Sequence, residues 1–217
     1  MRIRIDHSIS DKLPNFNIIA YSMDVVYENS DKLESLISQY EDQIKEEYSI
    51  EEVLDIPLIK EARDSYKKLG KDPSRYRLAC ESLLRRLVKG NKLYRINNLV
   101  DAGNILSIAA RRSVAVLDYD KIVGDVLIRI GRADDEYEGI GRGKINIENI
   151  PLYEDEIGPF GSTTSDTTRT MVTSETKKIL LFVVCFGKEE IEKDKKLAIE
   201  IFEEYCGAHN IETINID

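Results

Sequence analysis

The chain has 217 residues and a formal net charge of −9, from 31 Lys+Arg against 40 Asp+Glu. Hydrophobic residues make up 42% and charged residues 33%, a globular mix that excludes wholesale disorder. The longest unbroken apolar run, Ile179 to Phe186, is far too short for a membrane span.

Residues 2–6 and roughly 16–27 are rich in β-branched and aromatic residues and read as strands. Ser30-Asp31 is a helix cap, with Glu34 at capping-box spacing from Asp31. Leu33, Leu36, Ile37, Tyr40 and Ile44 give that helix one apolar face. Pro57 opens a second helix through Leu69, and Gly70 fits its C′ position. The turn Asp72-Pro73-Ser74 leads to a third, with Leu78, Leu83, Leu84, Leu87 and Val88 as its stripe and Gly90 as its end. A fourth helical stretch runs from Ile96 to Ala110. Beyond residue 113 short β-like runs take over, at Val126–Ile130, Ile145–Ile150, Thr170–Thr173 and Ile179–Phe186. The last of these is apolar at every residue, as in a strand buried on both faces. A helix from Lys188 to Cys206 and a strand over Ile211–Ile216 close the chain.

No repeat, linker or composition break divides this order, so the expectation is one α+β domain over residues 1–217. Met1 to Asp6 alternates charged and apolar residues, without a signal-peptide core. Three scattered cysteines, Cys80, Cys185 and Cys206, read as reduced thiols of a cytoplasmic protein rather than as a disulfide frame or a zinc site.

Acidic overall, the chain is locally basic. Between Arg75 and Arg95 stand seven basic residues (Arg75, Arg77, Arg85, Arg86, Lys89, Lys92, Arg95) and one acid, Glu81, with Arg111 and Arg112 following. Arg75, Arg86 and Lys89 have the spacing of one helix face. Such a face can meet phosphates by displacing counterions, or it can be a solvated face paired with nearby acids. Gly139-Ile140-Gly141-Arg142-Gly143 lacks both the dinucleotide fingerprint and the P-loop ending, which leaves a glycine-rich hairpin. The paired acids Asp118/Asp120, Asp134/Asp135 and Glu136/Glu138 have no histidine or cysteine nearby and read as solvated loops, so no metal and no cofactor are expected. From Ser162 to Ser174, nine of thirteen residues carry hydroxyls, with Asp166 and Arg169 among them. Such a segment can orient a small polar ligand or simply lead into a strand. The only histidines, His7 and His209, lie near the termini, and no Gly-x-Ser-x-Gly elbow is present.

Arg95-Ile96-Asn97-Asn98-Leu99-Val100-Asp101-Ala102-Gly103-Asn104 resembles the R-P-I-x-N-x-V-D-x-x-N motif of the B3/B4 module of the phenylalanyl-tRNA synthetase β subunit. Leu117-Asp118-Tyr119-Asp120-Lys121-Ile122 is similar to that module's F-D-L-D-K-I, and Asp155 to Pro159 to its D-x-x-G-P. Val172 to Leu181 is similar to its V-T-x-E-T-x-x-V-L-L. Tyr66 to Pro73 and Glu81 to Arg86 are similar to free-standing B3/B4-like proteins. The resemblance covers about residues 60 to 190. It implies a two-sheet, sandwich-type core flanked by helices, with residues 1–59 and 188–217 packed on it.

In the synthetase this module hydrolyses tyrosine mischarged onto phenylalanine tRNA. The family's editing histidine falls at Ala115 and its glutamate at Phe182, so neither side chain for positioning water is present. Retained are Asn98, Val100, Asp101 and Asn104. The resemblance implies a pocket around Asn98, Asp101, Asn104, Ala115, Gly161, Ser165, Asp166, Arg169, Thr173 and Phe182, with Ala115 widening it and Phe182 making it more apolar. Arg75, Arg85, Arg86, Lys89, Lys92 and Arg95 would face RNA.

The leading expectation is a binding module for RNA, with tRNA or an aminoacyl group as partner and no membrane or DNA role. The alternatives are a trans-acting aminoacyl-tRNA deacylase, with Asp101, Asp166 or Glu138 as substitute base, and an amino-acid or small-molecule binder without RNA. Lacking a nucleotide-binding catalytic domain, the chain is not expected to charge tRNA.

Overall fold

The computed structural model describes residues 1–28 and 31–217. In chain order these form β1 (Ile3–Ile5), α1 (His7–Ser10), β2 (Asn17–Asp24), α2 (Asp31–Glu47), α3 (Ile50–Asp55), α4 (Pro57–Leu69), α5 (Ala79–Val88), α6 (Asn98–Ala110) and β3 (Val114–Asp118). There follow β4 (Val126–Ile130), β5 (Glu136–Gly139), β6 (Gly143–Asn146), β7 (Pro151–Glu154), β8 (Pro159–Ser162), β9 (Lys178–Cys185), α7 (Ile191–Cys206) and β10 (His209–Thr213).

The apolar run at β9 becomes a strand buried on both faces, because it lies inside a sheet of order β10-β2-β9-β3. It pairs antiparallel with all of β2 on one side and with β3 on the other. A second sheet has the order β1-β4-β7-β8, with β1 parallel to β4 and the remaining pairs antiparallel. Aromatic packing joins the two sheets: Phe182 of β9 meets Tyr153 of β7 edge-on, with ring centroids 5.0 Å apart. α6 packs on α7 and on β3, and one buried apolar cluster runs through both sheets and the helices. This is the expected α+β fold with two sheets flanked by helices.

The helix punctuation is obeyed. Pro57 stands at the start of α4, and Gly70 ends it in the left-handed conformation, φ +90, donating back to Lys67 and Tyr66. Ser30, half of the predicted cap of α2, lies outside the described residues. α3 adds a capping box, Ser49 with Glu52. α5 begins only at Ala79, so Arg75 lies in the preceding turn and not on a helix face with Arg86.

Two predicted strands are corrected. Thr170–Thr173 forms none; Met171 makes one isolated bridge to Leu117, and the Thr170 hydroxyl donates to the Phe160 carbonyl at 3.3 Å. The run Ile145–Ile150 divides. Its start belongs to the β5–β6 hairpin, while Lys71 binds the turn beyond through the Asn146 side chain (2.7 Å) and the Glu148 carbonyl (2.7 Å). A buried ammonium pinning that turn outweighs the strand propensity of the isoleucines. All three cysteines are free and buried.

A candidate ligand cavity between α6, β3 and the 166–172 segment

α6 starts where Asn97, in extended backbone, accepts the Val100 amide on its side-chain oxygen at 2.9 Å. Asp101 adds a second local tie, accepting the Ile96 amide at 3.1 and 3.3 Å. Burial raises the Asp101 pKa, while the Ile96 amide and Arg95 act the other way. Asn98 anchors the helix outward. Its amide donates to the carbonyls of Val26 (2.7 Å) and Tyr205 (3.3 Å), and its oxygen accepts the Glu28 amide at 3.1 Å. Asn98 and Asp101 therefore tie structure together and line a separate cleft against α2, with Leu33, Glu34 and Arg95.

Asn104, further along α6, has no side-chain hydrogen bond among the described residues and lines a different cavity, of about 180 Å³. Val100 and Gly103 of α6, Val114 and Val116 of β3, and Ile96, Ile140, Met171 and Val172 make its apolar wall. A Cβ at Gly103 would overlap the Val116 side chain, so glycine is what lets α6 lie this close to β3. A cavity of roughly 150 Å³ accepts benzene, so this one is large enough for an aromatic ring.

Asp166 is the acid in this wall. Its Oδ1 is sealed from solvent without a hydrogen-bond partner, and it lies where a Cβ on Gly161 would come within 2.5 Å. Burial pushes its pKa up to about 7, opposed only in part by the Ser162 amide. Burial thus favours the protonated carboxyl relative to a free one. Most hydroxyls around it serve the fold. The Tyr137 hydroxyl donates to the Ser165 carbonyl (2.5 Å) and lies in hydrogen-bond contact with Ser162 Oγ (2.7 Å), and the Tyr66 hydroxyl sits between those of Thr163 and Thr164.

The other predicted pocket residues lie elsewhere. Arg169 binds Asp155 through two hydrogen bonds, 2.9 and 2.8 Å. Asp155 also accepts the amides of Val123, Ile157 and Gly158. Burial raises its pKa, but Arg169 and the Val123 and Ile157 amides more than reverse this, leaving it below the ordinary carboxylate value. Thr173 shapes a turn with Thr176, whose hydroxyl donates to Asp118 at 2.7 Å. Ala115 and Phe182 point away from the cavity, into the space between the sheets: the wall uses Val114 and Val116, on the opposite face of β3. Glu138 is exposed on β5.

Of the basic residues, Arg85 leans on buried Glu81 at 3.9 Å, and Arg95 is held by Glu34 (2.7 Å) and Glu41 (2.6 Å). Arg112 is buried on Asp194 at 2.6 Å. Arg86 stacks over the Tyr94 ring, 4.0 Å from its centroid, and donates to the Lys92 carbonyl at 2.6 Å. Arg75, Lys89 and Lys92 are exposed, with no side-chain hydrogen bond or ion pair among the described residues.

Residues 61–204 match the sequence profile of the B3/4 domain. The chain belongs to the B3/4 domain family. No curated protein matches it. Among solved structures, an N-terminal fragment of the phenylalanyl-tRNA synthetase β-subunit from Pyrococcus horikoshii is similar, with a TM-score of 0.54 and 13% identity. The likeness covers 100% of this chain and 51% of that one, so the chain spans about half of that fragment's length. At this identity the likeness is one of fold. β2 and β10 of this B3/4 domain lie outside the matched segment, yet they build the same sheet as β3 and β9.

Apart from Val100, which stands in the retained motif, the cavity's apolar members were missed from sequence. Ile140, an isoleucine at the tip of a glycine-rich hairpin and 43% exposed, was a further visible signal. Among the described residues no helix is long and apolar enough to cross a membrane, and no group of three or more metal-ligating side chains forms.

Proposed function

We propose that this B3/4 domain is an RNA-binding module, with tRNA as the RNA, that seats an apolar or aromatic group such as an aminoacyl side chain in the 180 Å³ cavity. The carrying observation is a stacking platform two residues along the chain from the cavity wall. Ile96 lines the cavity and is 57% exposed; two residues before it, Tyr94 is 67% exposed and carries the Arg86 guanidinium on its ring. An exposed aromatic next to unpaired cations suits a base and its phosphates. Lys89 and Lys92, past the C-terminal end of α5, supply the cations, while Arg85 and Arg95 are held by acids of the chain itself. The unpaired cysteines favour the cytoplasm as the site of action.

A second reading, a trans-acting aminoacyl-tRNA deacylase, draws on Asp166. A carboxyl group with a pKa of about 7 in a cavity suits a general base. One experiment separates these readings. The protein is titrated with charged and uncharged tRNA over a range of salt, and release of amino acid from tyrosine-charged phenylalanine tRNA is followed. Binding that weakens steeply with salt, without release above buffer, is the expected result. Release lost in Asp166→Asn supports the deacylase. Amino-acid binding without tRNA affinity overturns both.

A further inference from the structure

Within the cavity that the proposed function relies on, the polar groups are few and none is cationic. Asn97 is occupied as the cap of α6, which leaves Asn104 and Asp166 as the wall's uncommitted polar side chains. No lysine or arginine lines the cavity, and no ion pair reaches Asp166 among the described residues. With Oδ1 sealed over Gly161, Oδ2 is the oxygen left for a ligand. A carboxylate entering this wall would meet an acid and no cation. An ammonium would gain an ionic hydrogen bond in an apolar surrounding, where such bonds are strongest.

We propose that Asp166 is a specificity-determining residue that selects a cationic primary amine carrying an apolar body of about ring size, and that the cavity rejects carboxylates. The choice rests on the cavity being a ligand site, as proposed above. Asn104 complements it by offering an amide donor to a neutral oxygen next to the amine. Around Asp166 the ionisable neighbours are Tyr137 and Tyr153, both held neutral well above their usual range by burial. Neither can replace a ligand's positive charge. Because burial raises the Asp166 pKa, an arriving ammonium would draw the carboxyl to its ionised form and release its proton to the buffer.

The test uses the full chain and three probes sharing one phenyl body: 2-phenylethylamine, 2-phenylethanol and 3-phenylpropanoate. Calorimetric titration at pH 7 should show the amine binding at least about tenfold tighter than the alcohol, the carboxylate weakest, and an apparent enthalpy that changes with the buffer's ionisation enthalpy. Asp166→Asn should bring the amine down to the alcohol's affinity, abolish the buffer dependence and leave the alcohol unchanged. Equal affinity of amine and alcohol for the unaltered protein would overturn the proposal without any variant. So would an Asp166→Asn protein that keeps the preference. Failure of all three probes overturns the cavity as a ligand site and this selectivity with it; binding without preference overturns the selectivity alone.

Discussion

Ala115 and Phe182 stand directly opposite each other in the β3–β9 ladder, and Ala20 stands opposite Phe182 on the β2 side. A large ring between two methyl side chains is a packing solution: the alanines leave lateral room, and the ring reaches across to Tyr153 of the other sheet. The two positions are thus joined as one core contact. Phe182→Ala should destabilise the protein by about 3–5 kcal/mol in urea unfolding. It should hardly change the affinity of a phenyl probe for the cavity on the opposite face of β3. A large loss of probe affinity at unchanged stability would contradict this placement.

Arg112 illustrates a cation whose role is internal. Its guanidinium donates to Asp194 at 2.6 Å and also to the Glu189 carbonyl, and the two side chains are 3% and 0% exposed. Removing one partner strands the other charge, so Asp194→Ala should cost about 3–5 kcal/mol in chemical denaturation. Replacing both with apolar residues of similar size should recover most of that loss.

Asp166 makes stability fall as pH rises. Its folded-state pKa of about 7 lies above the ordinary unfolded value of about 3.9, so the folded state holds the proton more tightly between those two values. The penalty is absent below about pH 4, grows through the interval and is complete above about pH 7. Asp166→Asn should therefore be no more stable than the unaltered protein at pH 4 and increasingly more stable by pH 8. A stability difference independent of pH across that range would contradict the burial of this carboxyl.

Lys89 and Arg95 should separate RNA contact from fold. Lys89→Ala should lower the slope of log affinity against log salt by about 1, with no change in melting temperature. Arg95→Ala should instead lower the melting temperature, because buried Glu41 and the half-exposed Glu34 both lose their cation. Tyr94→Ala should weaken RNA binding by about 1–3 kcal/mol while leaving the salt slope in place.

The α-helices were largely legible in the residue order. Pro57 and Gly70 bound α4, and Leu83, Leu84 and Leu87 of the third predicted helix lie in α5 with Leu78 at its N-cap, because caps and helical periodicity are written within a few neighbouring residues. β9 was legible for a similar reason: a strand covered on both faces must be apolar throughout. β5, β7 and β8, at four residues each, were not, since strands so short carry too few alternations to stand out from loops. The motif Asp155 to Pro159 was visible as a motif but not as a turn held by Arg169. The cavity lay furthest from view. It joins Asn104 of α6, Val116 of β3, Ile140 of a hairpin tip and Asp166, four segments that share no local pattern. Sequence alone determined that Asp166 is a carboxyl group; only the tertiary structure decided that its charge is disfavoured, because water is removed from it by residues distant in the chain.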